Sequence, residues 1–378
     1  MKIVIAMDSF KGSLSSMEAG NAAAEGIKRV FPDADTVVSP VADGGEGTVE
    51  ALVSGLNGHF IEAEVTDPRG KPIKASYGIL PDNTAVIEMA AASGLTMRTF
   101  YIDAPMYNTS YGTGELILDA VKRGCRNFII GIGGSATNDG GIGCLQALGF
   151  GMLDKNGQQV EYGARGLSQL VSITDNNVTP ELRQCRFNVA CDVTNPLCGD
   201  NGCSAVFAPQ KGACGTSTVI MDIWMREYAE LTKSYNPTAS PDTAGAGAAG
   251  GMGFALMYYL NAELQSGADL ITRQTRLEEY IQTADMVITG EGCLDSQTAM
   301  GKAPSAIART AKKYGKPVIA FCGSVRKGAE LCNTSGIDAY FPVLRSVCTL
   351  EQAMDKSAAC KNLADTAEQV FRAIKLFK

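Results

Sequence analysis

The segment Lys2-Ile3-Val4-Ile5-Ala6-Met7-Asp8 decides the fold prediction, because it places a short apolar run directly before an acidic residue. Runs of this length are typical of a strand buried in a parallel sheet. Ser15 to Phe31 follows as an amphipathic helix with a serine-rich cap, and Thr36 to Val41 follows as a second strand. The start of the chain therefore predicts one β-α-β unit.

The same alternation returns at the other end of the chain. After a short helix at Thr48 to Leu56, Phe60 to Thr66 is the third strand of the N-terminal part. The late strands are predicted at Met286 to Thr289, Val318 to Phe321 and Tyr340 to Leu344. The helices that alternate with them are predicted at Lys302 to Tyr314, near Lys327 to Asn333, and at Glu351 to Leu376. Neither end supplies a full sheet. We therefore predict one doubly wound parallel sheet built from residues 1–65 and 286–378, with residues 66–285 inserted as a second α/β domain.

The inserted part carries weaker signals. They predict a hairpin (Ile73 to Leu80 and Ala85 to Met89), helices at Gly114 to Arg123 and Trp224 to Lys233, and strands at Phe128 to Ile132, Arg186 to Ala190 and Ala205 to Phe207. In an alternative arrangement, Phe128 to Ile132 belongs to the terminal sheet.

Composition excludes several classes of protein. Of 378 residues, 45% are hydrophobic and 19% charged, and the longest apolar stretches fall short of the roughly 20 residues that span a bilayer. No leader pattern follows Met1, so we expect a cytoplasmic protein. The net charge of −7, with scattered basic residues, argues against nucleic acid as a partner. With His59 as the single histidine, Ser-His-Asp catalysis and histidine-based metal sites are also disfavoured, and the 12 cysteines are expected to be reduced.

Glycine is enriched in clusters. The chain has 42 glycines, and the excess over average usage is concentrated at Gly44 to Gly47, Gly131 to Gly143 and Gly245 to Gly253, each before a predicted helix. Backbone amides at a helix start can bind an anion such as a phosphate group. Helix packing and turn geometry are the alternative explanation for each cluster. No Walker-type phosphate loop occurs, and Gly245-x-Gly247-x-x-Gly250 follows a proline-rich loop instead of a strand, so a nicotinamide enzyme is only an alternative.

Acidic side chains follow the predicted strands. They are Asp8, Asp43, Glu46, Asp139, Asp192, Glu291 and Asp295. Because ligands of open α/β sheets bind beyond the carboxyl ends of the strands, this set suits Mg²⁺-assisted phosphoryl transfer. For Asp43 and Asp295, helix N-capping is an equal alternative. Lys11 and Lys302 are the cations best placed to reach the same cleft. Lys211 is a third, weaker candidate, for which a solvated loop lysine is the preferred interpretation.

Six ordered motifs together resemble the bacterial type I glycerate kinase family. They are residues 7–11 (MDSFK), 40–48 (PVADGGEGT), 133–141 (GGSATNDGG), 190–197 (ACDVTNPL), the glycine cluster 245–253, and 289–292 (TGEG). The motifs span nearly the whole chain in order. Two positions depart from the family pattern: Met7 stands where proline is expected, and Cys293 where a basic residue is expected.

The resemblance implies ATP-dependent phosphorylation of D-glycerate, most often at the 2-hydroxyl to give 2-phosphoglycerate, with Mg²⁺. It also implies two α/β domains, one of them flavodoxin-like. Phosphorylation at the 3-hydroxyl is the alternative outcome, and a non-catalytic sensor of a small hydroxy acid or nucleotide is the alternative class.

Individual roles follow from residue chemistry within that resemblance. Backbone and polar groups expected at the ATP phosphates are Gly133, Gly134, Ser135, Asn138, Gly250 and Gly251. Lys302 or Lys11 would neutralise the transferred phosphoryl group, and Asp192 would be the base for the glycerate hydroxyl, with Asp8 as a further catalytic carboxylate. The expected substrate contacts are Ser9, Asn195 and Ser296, and the expected magnesium ligands are Glu46, Asp139 and Asp295.

Overall fold

The computed structural model describes residues 1–42, 44–45, 47–95 and 103–377. The strands are β1 (Lys2–Met7), β2 (Asp35–Val38), β3 (His59–Thr66), β4 (Pro72–Ile79), β5 (Thr84–Glu88), β6 (Asn127–Gly131), β7 (Gly151–Leu153), β8 (Ser172–Thr174), β9 (Arg186–Ala190), β10 (Glu263–Gln265), β11 (Met286–Leu294), β12 (Val318–Val325) and β13 (Ala339–Pro342). The helices are α1 (Ser16–Val30), α2 (Thr48–Gly55), α3 (Ala90–Ser93), α4 (Tyr111–Lys122), α5 (Ile142–Ala147), α6 (Ala164–Leu167), α7 (Cys203–Phe207), α8 (Gly215–Tyr235), α9 (Ala248–Leu260), α10 (Gly267–Gln274), α11 (Leu277–Gln282), α12 (Ser296–Ala299), α13 (Ala303–Lys313), α14 (Leu331–Thr334), α15 (Leu350–Met354) and α16 (Lys356–Lys375). Within these ranges, none of the helices has both the length and the apolar composition needed to span a bilayer.

The chain divides into two compact units, and the first contains residues from both ends of the sequence. It comprises Met1–Asp43, Glu50–Asn57 and Gly267–Lys378. Its strands pair in parallel in the order β2-β1-β11-β12-β13. Renumbered within the sheet, this is the 2-1-3-4-5 order of flavodoxin-like folds. The predicted doubly wound sheet built from both chain ends is confirmed.

Strand β1 lies inside this sheet, between β11 and β2. Side chains alternate between the two faces of a strand. Accordingly, Ile3 and Ile5 contribute to one hydrophobic core, and Val4 and Ala6 contribute to the core on the opposite face. Both faces are therefore buried, which explains why the segment is apolar without interruption.

Helix α1 covers one face of the sheet. Its N-cap is Ser15, within the predicted serine-rich cap, and this residue forms a capping box with Glu18. The helix packs closely against α16, and a side chain on Gly26 would collide with the backbone carbonyl of Ala364. Glycine at this position lets the two helices approach each other.

The second unit comprises Gly44–Val49 and Gly58–Ser266. Its main sheet has the order β10-β9-β6-β5-β4-β3, in which β3, β4 and β5 are antiparallel neighbours and β5, β6, β9 and β10 are parallel. The predicted hairpin is present as β4 and β5. One hydrophobic core, which includes Tyr77, Phe128 and Phe254, packs against this sheet.

Two segments with a predicted or alternative place in the terminal sheet belong to the second sheet. The segment Phe60 to Thr66, predicted in the terminal sheet, is part of β3 and pairs with β4 over its full length. The alternative placement of Phe128 to Ile132 in the terminal sheet is wrong, because β6 lies between β5 and β9. At the other boundary, residues 267–285 join the first unit, since Leu277 and Ile281 pack in the core beneath α13.

Two local predictions are also wrong. Ala205 to Phe207, predicted as a strand, lies in the short helix α7. The single helix predicted from Glu351 to Leu376 is two helices, because Asp355 has an extended conformation, ends α15 and caps α16 by accepting a hydrogen bond from the amide of Ala358. Helix capping at this position overrides the continuous helical periodicity.

Candidate active site

The first unit contains a cavity of about 520 Å³. It is lined by residues that follow β1, β11 and β12. The charged residues that line it are Asp8, Lys11, Glu291, Asp295, Lys302 and Arg326. Because the chain order of the sheet reverses between β1 and β11, this is the crevice where ligands of flavodoxin-like sheets bind.

The turn after β1 contributes Asp8, Ser9 and Lys11 to the cavity. The amide of Asp8 donates to the carbonyl of Gly290 over 2.8 Å, which continues the pairing with β11. Asp8 is 4% exposed, and its carboxylate accepts a hydrogen bond from the amide of Ser9 over 2.6 Å. The chain then turns back, and the amide of Leu14 donates to the carbonyl of Phe10 over 3.1 Å. The sheet therefore fixes Asp8, whereas Lys11 lies in an exposed turn.

Residues at the end of β11 form a second side of the cavity. Glu291 is buried, and one of its oxygens accepts the hydroxyl of Thr298 over 2.6 Å. Asp295 is the N-cap of α12, and its Oδ1 accepts the amides of Gln297 and Thr298 over 2.8 and 3.2 Å. The capping interpretation of Asp295 is thus confirmed, and the same side chain also lines the cavity.

Cationic side chains reach the cavity from three elements. Lys302 precedes α13 as its N-cap residue, as its place in the sequence predicted. Arg326 follows β12, and its amide donates to the carbonyl of Leu294 over 2.9 Å. Sequence reasoning missed Arg326, because it ended this strand at Phe321 and placed no basic residue at the strand end. Arg326 lines the same cavity as Cys293, the position where a basic residue was expected.

One predicted substrate contact packs elsewhere in the first unit. Ser296 lies against Gly328, and a Cβ added to that glycine would come within 2.7 Å of the Ser296 Cβ. Its neighbours Asp295 and Gln297 line the cavity instead. Gly328 has a φ of +91° and makes this close approach possible.

The second unit places two of the glycine clusters next to each other. Gly133 and Gly134 are exposed and follow β6 at its carboxyl end. A side chain on Gly131 would collide with the carbonyl of Gly44, and one on Gly133 would lie 3.2 Å from the Cα of Gly45. The predictions for Asp43 and Glu46 lie outside the described residues.

Ser135 and Asn138 differ in what they face. Ser135 directly follows the exposed glycines, and its hydroxyl accepts a hydrogen bond from the ammonium of Lys211 over 2.8 Å. The side chain of Asn138 is fully buried, and its Nδ2 donates to Ser204 Oγ over 2.9 Å. Asn138 therefore contacts the interior of the unit, and its place at the ATP phosphates stays a prediction.

Lys211 is buried, so the interpretation as a solvated lysine is wrong. Only 3% of its surface is exposed, and its Nζ also donates to the carbonyl of Thr137 over 2.7 Å. Burial lowers the pKa of Lys211 to about 8. No sequence signal showed this, because the contacts join segments more than 70 residues apart.

Asp139, a predicted magnesium ligand, is 1% exposed. Its Oδ2 accepts the amide and the hydroxyl of Ser110, each over 2.8 Å, and its Oδ1 accepts the amide of Gly141 over 3.1 Å. Burial raises the pKa of this carboxyl, although these donors oppose the shift. Its contacts make Asp139 an anchor for the turn that precedes α5. Among the described residues, no group of three or more His, Cys, Asp or Glu side chains is arranged to hold a metal ion.

The glycines of the third cluster pack inside the second unit. Gly250 and Gly251 are buried, with φ values of +69° and +91°. A side chain on Gly250 would collide with the carbonyl of Thr137, and one on Gly251 would lie 2.7 Å from the Cα of Gly140. These glycines bring α9 against the turn at residues 137–140, so packing explains their conformation, and their place at the ATP phosphates stays a prediction.

The predicted base lies at the carboxyl edge of the second sheet. Asp192 follows β9 and is exposed. Strand β9 pairs with β6, so Asp192 and the exposed glycines follow neighbouring parallel strands. Asn195 is held in the same loop, since its Nδ2 donates to the carbonyl of Asn201 over 2.9 Å.

Comparison with known proteins gives matches along the whole chain. Residues 3–375 match the glycerate kinase family. Glycerate 2-kinase of Escherichia coli (strain K12) is 51% identical over 354 residues, which cover 93% of this chain and 93% of that protein. Glycerate kinase of Bacillus subtilis (strain 168) is 46% identical over 379 residues, covering 100% of this chain and 99% of that protein. A crystal structure assigned to glycerate kinase 2 from Salmonella typhimurium LT2 superposes with a TM-score of 0.92 at 46% identity, covering 100% of this chain and 98% of that chain.

Proposed function

Since this chain belongs to the glycerate kinase family, we propose that it transfers the γ-phosphoryl group of ATP to the 2-hydroxyl of D-glycerate, giving 2-phosphoglycerate and ADP. The 2-hydroxyl is chosen because the relative from Escherichia coli, 51% identical, is named glycerate 2-kinase. The chain is thus an enzyme, a phosphotransferase with an alcohol group as acceptor.

The cavity at the β1/β11 crevice is the observation that carries this proposal. Lys11, Lys302 and Arg326 offer positive charge there, next to the carboxylates of Asp8 and Glu291. Phosphoryl transfer depends on positioning and on stabilising the charge of the phosphoryl oxygens. A cavity that combines cations with carboxylates suits an anionic substrate, a phosphoryl group and a metal ion.

The roles of individual residues form part of the proposal. Lys302 or Lys11 neutralises the transferred phosphoryl group, and Ser9 orients the substrate carboxylate. The loop of Gly133, Gly134 and Ser135 holds the ATP phosphates through its amides. Asp192, with Asn195 nearby in the same loop, accepts the proton of the glycerate hydroxyl.

Magnesium is the proposed metal ion. Mg²⁺ prefers oxygen ligands and is usually held by one or two carboxylates together with substrate phosphates. Asp8 and Asp295 fit this requirement, since both line the cavity and only Oδ1 of Asp295 caps α12. When bound, the ion neutralises charge on the phosphoryl oxygens. Glu46 remains a prediction.

The experiment is an assay of the purified chain with ATP, Mg²⁺ and D-glycerate. We expect ADP formation that requires D-glycerate, and a phosphorus NMR spectrum of the product that matches 2-phosphoglycerate. A spectrum that matches 3-phosphoglycerate would reassign the acceptor hydroxyl. Saturable binding of glycerate without turnover would support a sensor and reject the kinase.

A further inference from the structure

Lys211 is a buried cation whose hydrogen-bond partners are both neutral. Its ammonium donates to the hydroxyl of Ser135 and to the carbonyl of Thr137. In the described part of the chain, no carboxylate lies within ion-pair distance of it; Asp139 acts on it only at longer range. The lysine reaches this place from the short turn Pro209–Lys211, which follows α7.

A cation in such surroundings is not explained by stability. Burying an ammonium without a carboxylate partner costs free energy, and an apolar side chain of similar length often packs at lower cost. Lys211 is almost completely buried, yet the end of its side chain touches the start of an exposed loop. The position of the charge therefore points to a role in that loop.

The contact with Lys211 determines how Ser135 can act. A hydroxyl has one proton to donate and can accept two hydrogen bonds. Because the Ser135 oxygen accepts a hydrogen bond from the Lys211 ammonium, the proton of the Ser135 hydroxyl is directed away from Lys211. It is then available to an acceptor such as a phosphate oxygen.

The backbone next to Ser135 is also arranged for an anion. Among the described residues, the amides of Gly133, Gly134 and Ser135 find no backbone acceptor. Gly134 has a φ of +72°, and the chain on both sides is fixed, since the amide of Leu95 donates to the Gly134 carbonyl over 2.9 Å and the amide of Ala136 to that of Ser93 over 2.9 Å. Consecutive free amides in such a turn form a concave site for anions.

We propose that Lys211 is the positioning residue of this loop: it fixes the Ser135 hydroxyl as a donor to a nucleotide phosphate and places its own charge behind it. The inference rests on the proposed function in one respect, the identity of the anion as a phosphate of ATP. A phosphate oxygen bound to Ser135 lies at most about 5.6 Å from the ammonium, the length of two hydrogen bonds. At that separation, a charge that is itself buried strengthens binding without touching the ligand.

The experiment compares Ser135→Ala, Lys211→Met and the double variant. We measure the KM values for ATP and D-glycerate, and the Kd of ADP with Mg²⁺ by calorimetry. Each single variant is expected to raise the KM for ATP and the Kd of ADP about 10- to 100-fold, the usual effect of losing a hydrogen bond to a charged group. The KM for D-glycerate is expected to stay within about twofold. Because Lys211 acts through Ser135, the double variant is expected to bind ADP no more than about threefold more weakly than Lys211→Met.

Lys155→Met is the matched control, because Lys155 lies exposed in a turn of the same unit. It is expected to leave all three constants unchanged. Lys211→Gln, which keeps a donor without the charge, serves if the methionine variant does not fold, and it is expected to weaken ADP binding less than Ser135→Ala does. The inference would be overturned if the single variants bind ADP as the wild type does, or if they change the KM values for ATP and D-glycerate equally. It would also be overturned if the effects of the two substitutions on the Kd of ADP multiply in the double variant. Failure of the wild type to phosphorylate glycerate would reject the proposed function, while the ADP titrations would still test Lys211.

Discussion

Asp295 shows how one carboxylate can serve structure and chemistry at once. Its Oδ1 caps α12, and the side chain also lines the cavity of the first unit. Capping and metal binding can be separated by substitution, because asparagine caps helices about as well as aspartate but carries no charge.

Asp295→Asn is expected to leave the melting temperature unchanged and to raise the Mg²⁺ concentration needed for half-maximal activity at least about tenfold. Asp295→Ala removes the cap as well and is expected to lower stability by about 1 kcal/mol. Asp355→Asn, at the N-cap of α16, is the control and should change neither quantity. Unchanged Mg²⁺ dependence in Asp295→Asn would leave Asp295 as a cap only.

Asp192→Asn tests the proposed base. The substitution keeps the size of the side chain but removes its ability to accept a proton, so kcat is expected to fall by about two to four orders of magnitude with nearly unchanged KM values. Asp200→Asn, at an exposed position beyond the same strand, is the control. Wild-type turnover in Asp192→Asn would reject the assignment.

Lys211 makes stability depend on pH. Its pKa is lowered by burial from 10.5 to about 8, with Cys203 and Asp139 as the nearby groups that oppose the shift. Between pH 8 and 10.5 the unfolded chain binds more protons at this residue than the folded chain, so stability rises with pH, by about 3 kcal/mol in total. Well below pH 8 the residue is protonated in both states and the contribution is constant.

The melting temperature of the wild type minus that of Lys211→Met is therefore expected to increase from about pH 8 to about pH 10 and to be flat from about pH 6 to about pH 7. Other groups that titrate in this range are present in both proteins, and their effects cancel in the difference. If this difference in melting temperature does not change with pH, burial does not lower the pKa of Lys211 in the folded protein.

Residues at strand ends could be predicted from the sequence, but residues that fold inward could not. Asp8 was predicted at the ligand-binding edge because the apolar run before it reveals where the strand ends, and Lys302 was expected at the same cleft because it stands at a helix start. Asn138 and Asp139 stand in the same glycine-rich motif as Ser135, yet they contact Ser204 and Ser110, which are distant in sequence. Which polar side chains of a loop turn inward depends on such partners, and a single sequence does not contain that information.

Among the secondary-structure elements, α1 shows most directly how packing overrides intrinsic propensity. Replacing glycine by alanine within a helix usually stabilises it by up to about 1 kcal/mol. At Gly26, however, the new Cβ would collide with the carbonyl of Ala364 and lie 2.9 Å from the Cβ of Ala367, both in α16.

Gly26→Ala is therefore expected to destabilise the protein by about 1–2 kcal/mol, since overpacking outweighs the gain in propensity. Asn21→Ala, at an exposed position of the same helix, is expected to stabilise it slightly. Urea denaturation of both variants measures whether each substitution raises or lowers the free energy of unfolding. A stabilising Gly26→Ala would show that α16 can move away without cost.

Elements with a strong local pattern were predicted correctly, and those decided by tertiary contacts were not. The buried run of β1 and the capping box of α1 are visible in sequence. The partner of β3 is not, since its alternating pattern fits the edge of either sheet. The third glycine cluster has the spacing of a dinucleotide motif, but its conformation is explained by contact with residues 137–140.

At the scale of the whole molecule, the two units differ in how they depend on the chain. The first sheet needs both termini, because β1 and β2 come from one end and β11, β12 and β13 from the other. Among the described residues, the large hydrophobic core of the second unit is formed by residues between 58 and 266. Contacts within one continuous segment can form without the rest of the chain, whereas the first sheet forms only when segments from both ends of the chain pair with each other.

A fragment of residues 58–266 is therefore expected to fold alone and to melt cooperatively, at a lower temperature than the full chain, because it lacks Gly44–Val49 and the hydrogen bond from the Val49 amide to Glu88. Residues 267–378 alone are expected to stay unfolded, since Ile3, Ile5 and helix α1 are missing from one of their cores. Joining residues 1–57 to 267–378 through a flexible linker is expected to restore a cooperative transition, measured by circular dichroism. If the fragment 58–266 lacks a cooperative transition while the fragment 267–378 shows one, the first unit contains the core that folds independently, which contradicts the expectation.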